Sequence, residues 1–148
     1  MSISYDTIDR AFLNKITEYS LLDTECDVRQ DIVDGYMRRA VVDFSKECVY
    51  DLSLRDDNAR EFTDSFDDGD VDEIVEIISE GMVLQWMKPY LYHADNLQNV
   101  LNTRDYTLYS PAELTRQIRG AYESLRLSYK HRINEYSVYH NDLTKLHI

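Results

Sequence analysis

Glycine and proline are scarce in this 148-residue chain, at 4 and 2 positions. So little turn-forming material argues against many short strands and for long helices. Cysteine occurs only at Cys26 and Cys48, with no CxxC pair, so the two read as reduced, partly buried thiols. No apolar run approaches the roughly 18 residues that suggest a membrane span. Met1-Ser2-Ile3-Ser4-Tyr5-Asp6 has neither a basic n-region nor an apolar h-region. A soluble protein made in a cytoplasm, with no membrane partner, is therefore expected. Cations are also in deficit: 16 Lys and Arg face 28 Asp and Glu, a net charge of −12. Phosphate neutralisation needs clustered Lys and Arg, which makes bare duplex DNA a poor partner for the surface as a whole.

What is present begins with length. A domain of this size buries roughly 68–70% of its unfolded surface and needs no staple, so residues 1–148 are expected to fold as one helical domain. The charge is polar along the chain. Residues 1–103 hold 9 Lys and Arg against 23 Asp and Glu, a net of −14; residues 104–148 hold 7 against 5, a net of +2. Such polarity suits head-to-tail stacking of subunits, and it equally serves solubility.

Periodicity places the elements. Ile8, Phe12, Ile16 and Tyr19 recur at helical spacing and predict a helix over about 6–19, capped by Asp6 or Thr7, with Asp9, Arg10 and Lys15 off the stripe. Val28, Ile32, Tyr36 or Met37, Ala40 and Phe44 predict a second over about 28–46, weakened by Gly35. Cys48, Tyr50, Leu52 and Leu54 then alternate with Val49, Asp51 and Ser53, a strand-like period of two, and Arg55-Asp56-Asp57-Asn58 reads as a turn. Residues 56–76 contain 10 acidic residues and one cation, Arg60, which predicts a solvated loop over about 56–72.

A third helix is expected over about 71–88. Ile74, Ile77, Ile78, Met82, Leu84 and Trp86 make it the buried centre, with Asp70 or Asp72 favourable at its positive end. Pro89 should end or bend it, with a short helix following to about 101. Ser110, Pro111 and Glu113 fit N-cap, N1 and N3 of a capping box. The helix they open carries Leu114, Ile118, Ala121, Leu125, Tyr129, Ile133 and Tyr136 at steps of three and four, over about 111–139. The fold class expected is mainly α: a helical bundle with a long C-terminal helix and one short β-hairpin or extended segment near 48–66.

Catalytic and metal signatures are missing. Asp64 to Val75 can be laid on an EF-hand loop with Gly69 at its sixth position, but Phe66 and Val75 then fall where ligands are required. His93, His131, His140 and His147 form no HExxH and no zinc spacing with the cysteines, and read as surface or interface residues. There is no P-loop, GxGxxG or GxSxG. No cofactor, no metal and no enzymatic activity are expected.

The last helix is the richest in recognition chemistry. Arg116, Arg119, Arg126, Lys130, His131 and Arg132 interleave with Tyr122, Tyr129, Tyr136 and Tyr139. Tyr and Arg are enriched at protein interfaces. Arg116, Arg119, Tyr122, Arg126, Tyr129, Arg132, Tyr136 and Tyr139 are thus candidates for subunit or partner contact. The tyrosines equally suit the core of a bundle, and the same types stack on single-stranded nucleic acid.

The stretch Glu80-Gly81-Met82-Val83-Leu84-Gln85-Trp86-Met87-Lys88-Pro89 resembles part of a small neck protein of tailed bacteriophages. So do Leu101-Asn102-Thr103-Arg104-Asp105-Tyr106, Tyr109-Ser110-Pro111-Ala112, and Ile133-Asn134-Glu135-Tyr136-Ser137 through Asp142-Leu143. The resemblance covers about 74–146, roughly half the chain. Head–tail connector, or adaptor, proteins of this kind are mainly helical. The resemblance implies a virion structural role at the head–tail junction: a ring of identical subunits, commonly twelve, beneath the portal and above the tail. Its implied partners are itself, the portal protein and other neck or tail proteins, with DNA only as non-specific cargo. A channel wall facing DNA should repel it, and Asp64, Asp67, Asp68, Asp70 and Asp72 are the candidates to line such a lumen. The alternative raised by the charge is a small acidic phage protein that mimics DNA and inhibits or regulates a nucleic-acid enzyme.

Overall fold

The computed structural model describes residues 1–16, 25–101 and 111–140, with side chains described as far as Tyr92 and again from Arg116. Ile3–Ser4 forms a two-residue strand (β1) that passes directly into a helix over Tyr5–Lys15 (α1). Ser4, not Asp6 or Thr7, is the cap: its Oγ accepts from the backbone N–H of Asp6 at 3.2 Å. The helix starts early because Tyr5 is itself a core residue. Ile8 and Phe12 are fully buried as their spacing predicts, whereas Asp9, expected off the stripe, is buried with them. Tyr19 lies outside the described residues.

The second helix, Cys26–Phe44 (α2), sits two residues ahead of the range expected from its periodicity. Val33, Met37, Ala40, Val41 and Phe44 make its inner face, and Met37 rather than Tyr36 takes the fully buried place. Val28 and Ile32, expected on that stripe, are exposed, so the buried face is rotated away from them. Cys26 is exposed too, and Cys48 is the half-buried thiol of the two.

Residues 48–54 do not form the strand their alternation predicts; only Leu52 is buried there. Polar side chains divert the backbone. The Asp51 carboxylate accepts from the N–H and Oγ of Ser53, and the hydroxyl of Tyr136 accepts from the N–H of Val49. The hairpin instead uses Arg55–Asp56 (β2) and Glu61–Phe62 (β3). Its turn covers 57–60, two residues later than expected, with Asp56 Oδ1 accepting from the N–H groups of Asn58 and Ala59. β1 joins as the third strand, giving the antiparallel order β1-β3-β2 with Ile3 opposite Phe62 and Ser4 opposite Glu61. The expected acidic loop over about 56–72 is therefore largely structured, by this hairpin and by the start of the next helix.

That helix, Asp68–Leu101 (α3), is the centre of the molecule and packs on α1, α2 and the last helix, Pro111–His140 (α4). Ile74, Ile77, Ile78 and Met82 are completely buried, as expected of the most apolar segment. Pro89 does not end it: helical hydrogen bonding continues to Leu101, although the ring removes one N–H from the ladder. α4 starts at Pro111, in keeping with proline at a first helical position. Ser110, its expected cap, lies outside the described residues. Gly69 is helical, so no calcium-binding loop forms around it.

One glycine is required by packing. A Cβ on Gly81 would lie 2.9 Å from the Ala40 methyl and 2.8 Å from the Tyr129 hydroxyl. Gly81 thus lets α2, α3 and α4 approach closely, and a side chain there would push them apart.

Candidate functional site

α4 separates the predicted contact residues into two groups. Tyr129 and Tyr136 face inward and are core residues, Tyr136 packed edge-to-face with Phe44 at 5.1 Å between ring centroids. Burial raises the pKa of both hydroxyls well above the ordinary tyrosine value. As core residues they cannot act as contact side chains, which corrects the expectation for these two. Tyr122 is half-buried. Arg126 is bound by Glu123 of its own helix at 2.9 Å, and Arg132 reaches across to Glu80 and Glu76 of α3 at 2.8 and 3.7 Å. Arg116, Arg119 and Tyr139 are exposed, Tyr139 most of all.

The outward residues are ordered. Arg116, Leu127 and Val138 recur every eleven residues, about three turns, so they share one stripe along α4. His131 and Asn134 continue that stripe, and every one of these residues is exposed. Leu127 and Val138 are 60% and 65% exposed, well beyond what a side chain serving the monomer's own core requires.

The five candidate lumen aspartates also divide. Asp64 accepts from the backbone N–H of Asp51 at 2.7 Å, and Asp70 accepts from the Tyr50 hydroxyl at 2.6 Å, so both brace the chain internally. Asp67, Asp68 and Asp72 remain exposed around the start of α3.

Among the described residues, a charge cluster that no sequence spacing indicated gathers around Arg60. Arg60, the lone cation of the acidic run, has φ 55°, the left-handed conformation that non-glycine residues seldom adopt. That turn aims its side chain inward, where Nη2 meets Asp9 at 3.0 Å and Asp34 at 2.9 Å, and Nη1 meets Asp6. The Arg60 carbonyl accepts from the N–H of Tyr5 at 2.9 Å, so the same residue ties the hairpin to the start of α1. One guanidinium serves three carboxylates. Burial, reinforced by the adjacent Asp34, pushes the Asp9 pKa up to about 8, against the opposing pull of Arg60. Protonation also gives the buried Asp9 Oδ1, otherwise without a partner, a hydrogen to share with Asp34. A cleft of about 460 Å³ beside this cluster is lined by Asp6, Asp9, Arg10, Cys26 and Arg29. Arg60 is saturated by carboxylates, and the cluster acts as a staple between the hairpin, α1 and α2.

Two signals for the cluster stood in the sequence. Arg60 was the single cation among ten acids, and Asp9 falls on the helical face of Tyr5, Ile8 and Phe12 once Tyr5 is included in the helix. His131 is exposed as expected and pairs with Glu135 at 3.1 Å; His140 is instead half-buried between two acids of α3. His93 and His147 lie outside the residues whose side chains are described.

The chain matches no family model, no curated protein and no solved structure. Among the described residues no helix is long and apolar enough to cross a membrane.

Proposed function

We propose that the chain is a structural subunit of a tailed-phage neck, a head–tail connector that assembles with copies of itself and docks on the portal. The observation that carries this reading is the outer stripe of α4, where Leu127 and Val138 stay exposed on a helix whose opposite side packs Tyr129, Ile133 and Tyr136 into the core. A stripe that carries Leu127 and Val138 among Arg116, His131 and Asn134 has the mixed apolar and polar character of a side-by-side protein contact. Contacts of that heterologous kind close into a ring when the rotation permits.

The charge pattern supports the same arrangement. Asp67, Asp68 and Asp72 are exposed around the start of α3, while Arg116 and Arg119 are exposed near the start of α4. An acidic surface on one copy and a basic one on the next would steer head-to-tail association. The exposed aspartates would also keep a channel wall repellent to DNA.

Mass measurement in solution, alone and with a portal protein, tests the reading. A ring, either spontaneous or dependent on the portal, is the expected result. A chain that stays monomeric with portal and neck proteins, and instead binds a nucleic-acid enzyme in a salt-sensitive way, would favour the acidic DNA-mimic reading.

A further inference from the structure

The first turns of α3 and the last turn of α4 meet at three side chains of metal-ligating type. His140 Nε2 lies 3.4 Å from Glu73 Oε2 and 3.9 Å from Asp70 Oδ1. The three donor atoms all fall within 4.8 Å of one another. We propose that Asp70, Glu73 and His140 form a divalent-cation site, suited to zinc, that clasps the end of α4 to the start of α3.

Donor spacing is the first argument. A tetrahedral zinc with ligands at about 2.0–2.2 Å separates its donor atoms by about 3.4 Å. One contact already has that spacing, the second is half an ångström longer, and the third edge is no longer than 4.8 Å.

Convergence is the second. Both carboxylates approach the same imidazole nitrogen, which has only one hydrogen or one lone pair to offer. A histidine–carboxylate hydrogen bond engages one of these oxygens, and an ion between the three groups would engage both. Two carboxylates with a neutral imidazole also balance a doubly charged ion.

The mixed donor set narrows the metal. Imidazole with carboxylates suits zinc and similar transition ions, whereas calcium and magnesium prefer oxygen alone. The surroundings already hold the ligands in place. The Tyr50 hydroxyl donates to Asp70 Oδ2 at 2.6 Å, leaving Oδ1 turned toward His140, and the ring of Tyr136 lies 4.2 Å from the His140 ring. Outer-shell partners of this kind orient ligating groups in metal sites. Half-exposure of all three residues leaves room for water to complete the coordination. The site does not depend on the connector reading, because it joins two helices of one chain.

Isothermal titration of the full chain with zinc chloride at neutral pH tests the proposal. One equivalent should bind saturably and raise the melting temperature. Tyr50→Phe should weaken binding on the order of tenfold, as loss of an outer-shell partner does. Glu73→Gln and His140→Ala should weaken it further, and His131→Ala should leave it unchanged. Glu73→Gln keeps the size of a part-exposed side chain and should melt like the parent without metal, whereas His140→Ala gives up its ring contact with Tyr136, so its zinc-induced rise is read against its own metal-free melting temperature. Absence of saturable binding would overturn the proposal, as would zinc affinity unchanged in both Glu73→Gln and His140→Ala.

Discussion

Tyr136 and Tyr139 stand three residues apart on α4, about 60° apart around its axis, and are used in opposite ways. Tyr136 is fully buried, its ring on Phe44 and its hydroxyl against Cys48 and the N–H of Val49. Tyr139 is 84% exposed. The same contrast runs along the helix, with Tyr129 and Ile133 inside and Leu127 and Val138 outside. It teaches that α4 has one apolar face, which the monomer buries, and an outer side on which Leu127 and Val138 stay exposed among polar residues. Carboxylates divide similarly: Asp9 is buried against Arg60 and Asp34, and Asp72 is exposed.

The sharpest way to break this contrast is Tyr136→Ala. It removes a large aromatic side chain from the meeting of α2, α4 and the 48–50 segment. A loss of about 3–5 kcal/mol in chemical denaturation is expected, as for buried aromatic truncations generally. A loss below about 1 kcal/mol would mean that the inner face does not carry the packing assigned to it.

The carboxylate contrast is tested by pH. Asp9 has a folded pKa above its unfolded value, so its contribution to stability is complete below the unfolded value of about 4. That contribution is lost as pH rises through about 8. The parent should therefore lose stability across this window, on the order of a few kcal/mol from this group. Asp9→Asn should flatten that decline, and Asp72→Asn should leave it in place. Identical melting-temperature profiles for the parent and Asp9→Asn would contradict the assignment.

Gly81→Ala should cost about 1–3 kcal/mol, because the added methyl has no room between Ala40 and the Tyr129 hydroxyl. The rigid Ala40 methyl cannot yield, so Tyr129→Phe should recover only part of the loss in a double-mutant cycle. The smallest effect belongs to the outer face. Tyr139→Ala should change stability by less than about 0.5 kcal/mol, as surface substitutions usually do.

The main helices were legible because their apolar residues recur at the helical period, and the start of α4 because proline suits a first helical position. The hairpin was legible in place and not in register. Alternation at 48–54 suggests a strand, yet Asp51 and Tyr136 capture the backbone that strand would have used. Local spacing gave helix on both sides of Pro89, and what it left open, an end or a bend at the proline, is resolved as one continuous helix to Leu101. Arg60, Asp9 and Asp34 are brought together only by tertiary folding, as are Asp70, Glu73 and His140, the last separated by 67 residues from Glu73. Residue type alone could not divide the tyrosines of α4 into core and surface, since an aromatic ring with a hydroxyl suits both.

The most direct measurement of the central claim is sedimentation of Leu127→Glu/Val138→Glu beside the parent chain, each with and without a portal protein. The account predicts a ring for the parent and a monomer for the variant, with the same melting temperature for both. A variant that assembles as the parent does would contradict it, because the outer stripe of α4 would then have no part in holding subunits together.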